Sequence, residues 1–292
     1  MKNNLNACGL LLAVLFLGLT VHAQNPRPKG GLGRPAPRPK PAVTATVNAD
    51  SAFEKHEWIP QTGDTVKYRL LLPANYDATK SYPFVLFLHG AGERGNDNLK
   101  QLVHGAQLFL QPEVREKYPA IVVFPQCPAN GFWSNVEFKM NDSTGKRDFF
   151  FPEGGNPSDA MKLLLYWLPE LEKKYKIKSD QRYVMGLSMG GMGTFEIVRR
   201  KPGYFAAAVP ICGGANPKTA AAIKETAFWI FHGEKDDVVP YQLSEQMFQA
   251  LQEFYVGAEV NFTLYGNTNH NSWDPAFAEP DLLSWLFGHK KE

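Results

Sequence analysis

Short apolar runs separated by longer amphipathic stretches punctuate the chain from residue 66 onward. Residues 66–70, Val-Lys-Tyr-Arg-Leu, alternate in polarity as a half-buried strand does, and Leu70, Leu71 and Leu72 end it ahead of Pro73. Residues 84–88, 120–124, 183–186, 206–211 and 228–231 are instead almost continuously apolar. Runs of this kind suit strands covered on both faces, as in a parallel sheet. Residues 260–265 add another strand-like segment. Between these runs, residues 158–175 carry an apolar stripe through Met161, Leu164, Leu165 and Leu168, with Ser158 placed as an N-cap. Pro169 is expected to bend or interrupt that helix. Residues 189–200 and 242–255 read as further helices. The alternation predicts an α/β fold: a mostly parallel central sheet with helices on both faces.

The start of the chain follows another pattern. Lys2 precedes an apolar run over residues 10–19, which leads to Val21, His22 and Ala23. That order of charged, apolar and small residues predicts an export signal over residues 1–23, cut after Ala23, and the run is short for a membrane span. Residues 24–42, rich in Pro, Gly and cations, predict a linker, and residues 43–292 a single catalytic domain. The first 42 residues hold six cations and no acid, which leaves 25 basic against 29 acidic residues in the rest. The net charge of +2 therefore belongs to the tail, and no nucleic-acid partner is expected. After signal removal Cys127 and Cys212 remain, enough for one disulfide or for two buried thiols. Neither has a CxxC partner or a nearby histidine, which argues against zinc.

Candidate chemistry centres on Gly186-Leu187-Ser188-Met189-Gly190. This G-x-S-x-G segment follows an apolar strand and opens a helical run, the setting in which a tight turn lifts a serine clear of a sheet. A serine hydroxyl needs a histidine to take its proton, and that histidine needs an orienting carboxylate. Of the histidines after Ser188, His289 sits in a charged end beside Lys290 and Lys291. His232 closes an apolar strand and is suited to shaping the turn that follows. His270, in a polar loop after the 260–265 strand, is the expected base. The acid is Asp236 or Asp237, and Asp237 has an alternative use as cap of a helix starting near Pro240. Two N–H donors should face the developing oxyanion: Met189, and one from His89-Gly90-Ala91-Gly92, with Ala91 preferred and Gly92 second. His89 itself reads as a structural hydrogen bonder.

Together these residues resemble the α/β-hydrolase superfamily. Within it they are similar to the esterase group containing dienelactone-hydrolase-like, polyhydroxybutyrate-depolymerase-like and feruloyl or acetyl-xylan esterases. The resemblance runs through LFLHGAGERGNDN (86–98), FPQCP (124–128), DQRYVMGLSMGGMGTFE (180–196), FAAAVPICGG (205–214), FHGEKDDVVP (231–240) and His270 with Trp273. It implies the α/β-hydrolase fold, a triad of Ser188, Asp236 and His270, and no metal or organic cofactor. The pattern HG-x-x-D-x-x-VP is what selects Asp236, and Arg94 and Asp97 are implied to order the oxyanion loop. Residues 134–157 depart from the family by their length and aromatic content, and they are expected to form part of a substrate wall.

Trp133 and Trp273 are candidates for stacking on a sugar or an aromatic acyl group, with ordinary packing as the alternative. The expected partner is a small-molecule or polysaccharide ester; two rivals are a peptidase resembling the prolyl-oligopeptidase family, which lacks room here for an N-terminal propeller, and an inactive binding module on a hydrolase scaffold.

Overall fold

A computed structural model describes residues 34–35, 48–60, 65–143, 145–254 and 258–291. The expected signal, and the linker apart from Arg34–Pro35, lie outside these residues. The strands, in chain order, are β1 (Arg34–Pro35), β2 (Glu54–Trp58), β3 (Val66–Leu71), β4 (Tyr82–Leu88), β5 (Ile121–Gln126), β6 (Glu137–Asn141), β7 (Lys146–Phe150), β8 (Ile177–Leu187), β9 (Ala207–Ile211), β10 (Ala227–Gly233) and β11 (Val260–Gly266). Nine of them form one sheet in the order β1-β11-β10-β9-β8-β4-β5-β3-β2, and β6 and β7 form a separate hairpin. All neighbours in the large sheet run parallel except β3 with β5 and β2 with β3.

The continuous apolar runs are explained by two cores. Along β4, Phe84, Leu86 and Leu88 face one core while Val85 and Phe87 face the other, and β10 divides Phe228 and Ile230 from Trp229 and Phe231 in the same way. A strand alternates its side chains, so a run without polar breaks is what coverage on both faces demands. The helices Asp159–Lys174 and Met189–Arg200 cover the first face, and Ala106–Leu110 and Leu282–Gly288 the second. Each large apolar side chain so buried contributes about 1.5–3 kcal/mol relative to exposure.

Ser158 caps the helix Asp159–Lys174, its Oγ accepting from Met161 N at 3.2 Å. Pro169 does not interrupt the helix. Leu168 and Leu171, buried on either side of it, hold the helix against the core at that point. Asp237 does not cap the helix Gln242–Glu253, whose N-cap position is Tyr241 without a side-chain bond. Strand β3 also differs from its expected half-buried pattern. Arg69 is fully buried, because residues 48–52 and the loop at 96–98 cover that face, and its guanidinium donates to Asp50 Oδ1 at 2.7 Å and Asn98 O at 3.0 Å. Among the described residues no helix is long and apolar enough to cross a membrane.

Parallel strands expose all their C-terminal ends along one rim, and loops leaving that rim are where α/β sheets place their ligands. Residues 89–92, 188, 236 and 270 all follow such ends, after β4, β8, β10 and β11 respectively.

Candidate active site

Ser188 sits between β8 and the helix Met189–Arg200 with φ 54° and ψ −116°. A non-glycine residue in this region is strained by about 1–3 kcal/mol, and the turn holds it there through close packing. Gly190 is the tightest element: a Cβ on it would collide with the Leu88 and His89 carbonyls, so no larger residue lets the helix start against the end of β4. Ser188 N donates to Ile211 O at 2.9 Å, fixing the turn to β9 as well.

His270 Nε2 lies 2.9 Å from Ser188 Oγ, and its Nδ1 lies 2.8 Å from Asp236 Oδ2. A carboxylate only accepts, so Nδ1 carries the hydrogen and Nε2 is left to accept from the serine hydroxyl. Asp236 is buried, with Oδ1 accepting from Val238 N and Val239 N at 2.9 Å each and Oδ2 also in contact with His232 Nε2 at 3.1 Å. Burial pushes its carboxyl up, but the hydrogen bonds from His232 and His270 outweigh that and hold it well below the usual carboxylate range. Asp237 is exposed and its backbone N–H donates to Asn269 Oδ1 at 3.1 Å, so the two adjacent aspartates point apart.

The His89–Gly92 loop packs onto the nucleophile turn, with Gly90 against the Leu187 side chain. Neither the Met189 N–H nor the Ala91 N–H is used in a backbone hydrogen bond among the described residues. Arg94 Nε donates to Ala91 O at 2.9 Å and Nη1 to Gly131 O at 3.3 Å. Asp97 Oδ1 accepts from Leu99 N, Lys100 N and Gln126 Nε2, which against the cost of partial desolvation holds its carboxyl at about 2. Arg94 thus braces the loop at Ala91, while Asp97 holds Gln126, whose Nε2 also donates to Glu93 O at 3.2 Å. His89 braces it from within: Nδ1–H donates to Gly90 O at 2.6 Å and Nε2 accepts from Cys127 N at 2.9 Å. Burial lowers its imidazole to about 4, so it stays neutral at pH 7.

The two tryptophans separate. Trp133 is 1% exposed, donates to His89 O at 3.1 Å and packs on Gly193, leaving no open ring face for a ligand. Its aromatic surface serves the core, which corrects the stacking role expected from sequence. Trp273 is half-buried and stands edge-on to the His270 ring at 5.5 Å, with His104 on it at 5.1 Å. Both cysteines are free and buried; burial pushes Cys127 up to about 12, and burial with the Asp236 charge raises Cys212.

Beside the turn, Phe151 O accepts from Asn216 Nδ2 at 2.9 Å, anchoring the β6–β7 hairpin next to β9. Phe132, Phe138, Phe149 and Phe151 follow one another at ring separations of 6.0–6.4 Å. Sequence reasoning assigned His232 to the turn but missed its contact with the Asp236 carboxylate and its link to Ser244, since nothing in a helix such as 242–253 marks one serine as facing a histidine.

Comparison with known proteins places these features in context. The model of the Esterase family matches residues 59–278. A solved thermostable esterase is 33% identical with a TM-score of 0.72, covering 82% of this chain and 64% of its own; the chain thus spans just under two thirds of that structure's length. A feruloyl esterase module from Clostridium thermocellum, complexed with sinapinate, shares the fold at 19% identity and a TM-score of 0.58, covering 90% of this chain and 96% of that one. A ferulic acid esterase from Anaeromyces mucronatus, in complex with ferulic acid, does so at 16% and 0.55, covering 77% and 86%.

Proposed function

The chain belongs to the Esterase family, and from that premise we propose that it is a serine hydrolase of carboxylic esters, working through an acyl-enzyme on Ser188. The observation that carries the reading is the unbroken line of contacts from Ser188 Oγ through His270 to Asp236, at 2.9 and 2.8 Å. His270 takes the serine proton as Ser188 attacks the ester carbonyl, and Asp236 stabilises the imidazolium. The Met189 and Ala91 N–H groups receive the oxyanion. The imidazolium then protonates the departing alcohol, and water, activated by the same histidine, releases the acid.

For the acyl group we favour aromatic acids or acylated carbohydrate. Support comes from the phenylalanine row on and beside the hairpin and from Trp273 at the base, and esterases of this fold include ones complexed with sinapinate and ferulic acid. Export fits that substrate class; the pattern over residues 1–23 supports it, and N-terminal sequencing of protein recovered outside the cytoplasm tests cleavage after Ala23.

The test of the activity is turnover of nitrophenyl acetate and methyl ferulate together with labelling by a fluorophosphonate. Ser188→Ala is expected to abolish labelling and to lower kcat by roughly 10⁴-fold or more. Cleavage of peptides with no cleavage of esters would refute the reading, as would labelling that survives Ser188→Ala.

A further inference from the structure

Asp236 is held by more than its catalytic partner. Its Oδ2 meets two imidazoles, His270 Nδ1 at 2.8 Å and His232 Nε2 at 3.1 Å. His232 is fully buried at the end of β10, where a histidine without partners would cost folding energy for no gain. All its ring nitrogens are engaged. Nε2 faces the Asp236 carboxylate and Val239 O, the latter at 2.9 Å, and both of these only accept. Nε2 must therefore carry a hydrogen, shared between the two. Nδ1 lies 2.7 Å from Ser244 Oγ, which in turn lies 3.1 Å from Gly213 O. The single Ser244 hydroxyl hydrogen is directed to Gly213 O, so the Nδ1 contact fixes the place of the ring, and the hydrogen on Nε2 follows from the two acceptors that face it.

We infer that His232 is a positioning residue for the acid: its Nε2–H, on a ring held in place by Ser244, moors Asp236 Oδ2 in line with His270 Nδ1. The inference rests on the esterase reading above and deepens it. Without this donor the carboxylate keeps, besides His270 itself, only the Val238 and Val239 amides, both on Oδ1 and both within its own loop. Those two bonds fix the loop end of the carboxylate but leave Oδ2 free to rotate away from His270. His232 ties Oδ2 instead to β10, and through Ser244 to the helix Gln242–Glu253 and to Gly213 beyond β9. The acid is thereby referenced to the sheet that also carries Ser188.

Mooring and packing predict opposite orders for two substitutions. Gln reaches the Nε2 position with an N–H donor, whereas Leu fills similar space without one. His232→Leu should lower kcat about 10- to 100-fold with KM within about twofold, the scale of a lost buried hydrogen bond to a charged group. His232→Gln should recover to within about threefold of the parent, and Ser244→Ala should lower kcat several-fold by removing the contact that holds the ring in place. A core-filling role predicts the reverse, with the apolar Leu tolerated and Gln worse. Proton NMR of the His270 Nδ1–H, far downfield when it is bonded to a carboxylate, gives a readout that needs no turnover. Loss of that signal in His232→Leu with retention in His232→Gln supports the proposal. Equal kcat in His232→Leu and the parent, or an unchanged downfield signal in both variants, overturns it. If His232→Leu does not fold, Ser244→Ala and His232→Gln decide: parent-like kcat in Ser244→Ala, or a His232→Gln enzyme slowed tenfold or more, overturns it. A parent protein inert to esters and fluorophosphonate whose downfield signal still obeys this order would sink the esterase reading and leave the mooring intact.

Discussion

Asp236 and Asp237 are consecutive in the chain and have opposite fates, one buried against two imidazoles and one in solvent. Asp236→Asn should therefore cost on the order of 10³–10⁴ in kcat, since an amide holds the wrong histidine tautomer, while Asp237→Asn should stay within about twofold. Steady-state kinetics on nitrophenyl acetate separates them. His89 makes a second prediction, for stability. Its folded imidazole titrates near 4, below the ordinary value of about 6.5, so the unfolded chain binds the extra proton first as pH falls. The neutral ring's contribution is complete above about pH 6.5 and is lost progressively down to pH 4, a loss on the order of 3 kcal/mol. Urea midpoints at pH 7 and pH 4.5 should fall more steeply for the parent protein than for His89→Asn. That Ser188 and His270 meet was legible because motif and chain order constrain them. The burial of Arg69 and Trp133 was not, because each depends on loops that arrive from elsewhere in the chain.

Strands with two buried faces announce themselves, and β4, β8 and β10 fall where their apolar runs lie. The reading missed β2, Glu-Lys-His-Glu-Trp, an edge strand whose exposed face carries charge and whose pattern carries no period of burial. It also left β6 and β7 as an unassigned polar-aromatic segment, since a hairpin outside the sheet needs no apolar alternation. The helix Asp159–Lys174 was legible at its start, where Ser158 both accepts from Met161 N and donates to Phe132 O at 2.6 Å. Ser158→Ala should lower stability by about 1–2 kcal/mol, measured by chemical denaturation, with little change in kcat. The hairpin should behave in the reverse way. Phe138→Ala, at a residue 48% exposed, should leave the denaturation midpoint nearly unchanged. If the hairpin is the acyl wall, that substitution should raise KM for methyl ferulate severalfold and leave nitrophenyl acetate unaffected.

At the scale of the whole molecule, one sheet divides two cores, and the free thiols sit one in each: Cys127 in the first and Cys212 in the second. Their accessibility should accordingly report global unfolding rather than local opening. Mass spectrometry after thiol alkylation at pH 8 should find both unmodified in the native protein and both modified in urea, at the same denaturant midpoint. The rim of the sheet gathers what the cores hold rigid, and its nucleophile, Ser188, carries a strained backbone at φ 54°. Glycine adopts that conformation freely, so Ser188→Gly should melt higher than the parent, the relief being on the order of 1 kcal/mol. Selection for heat tolerance alone would drift toward glycine at this one codon and arrive at a sturdier, inert protein. Any thermostability screen on this scaffold has to score turnover in the same round.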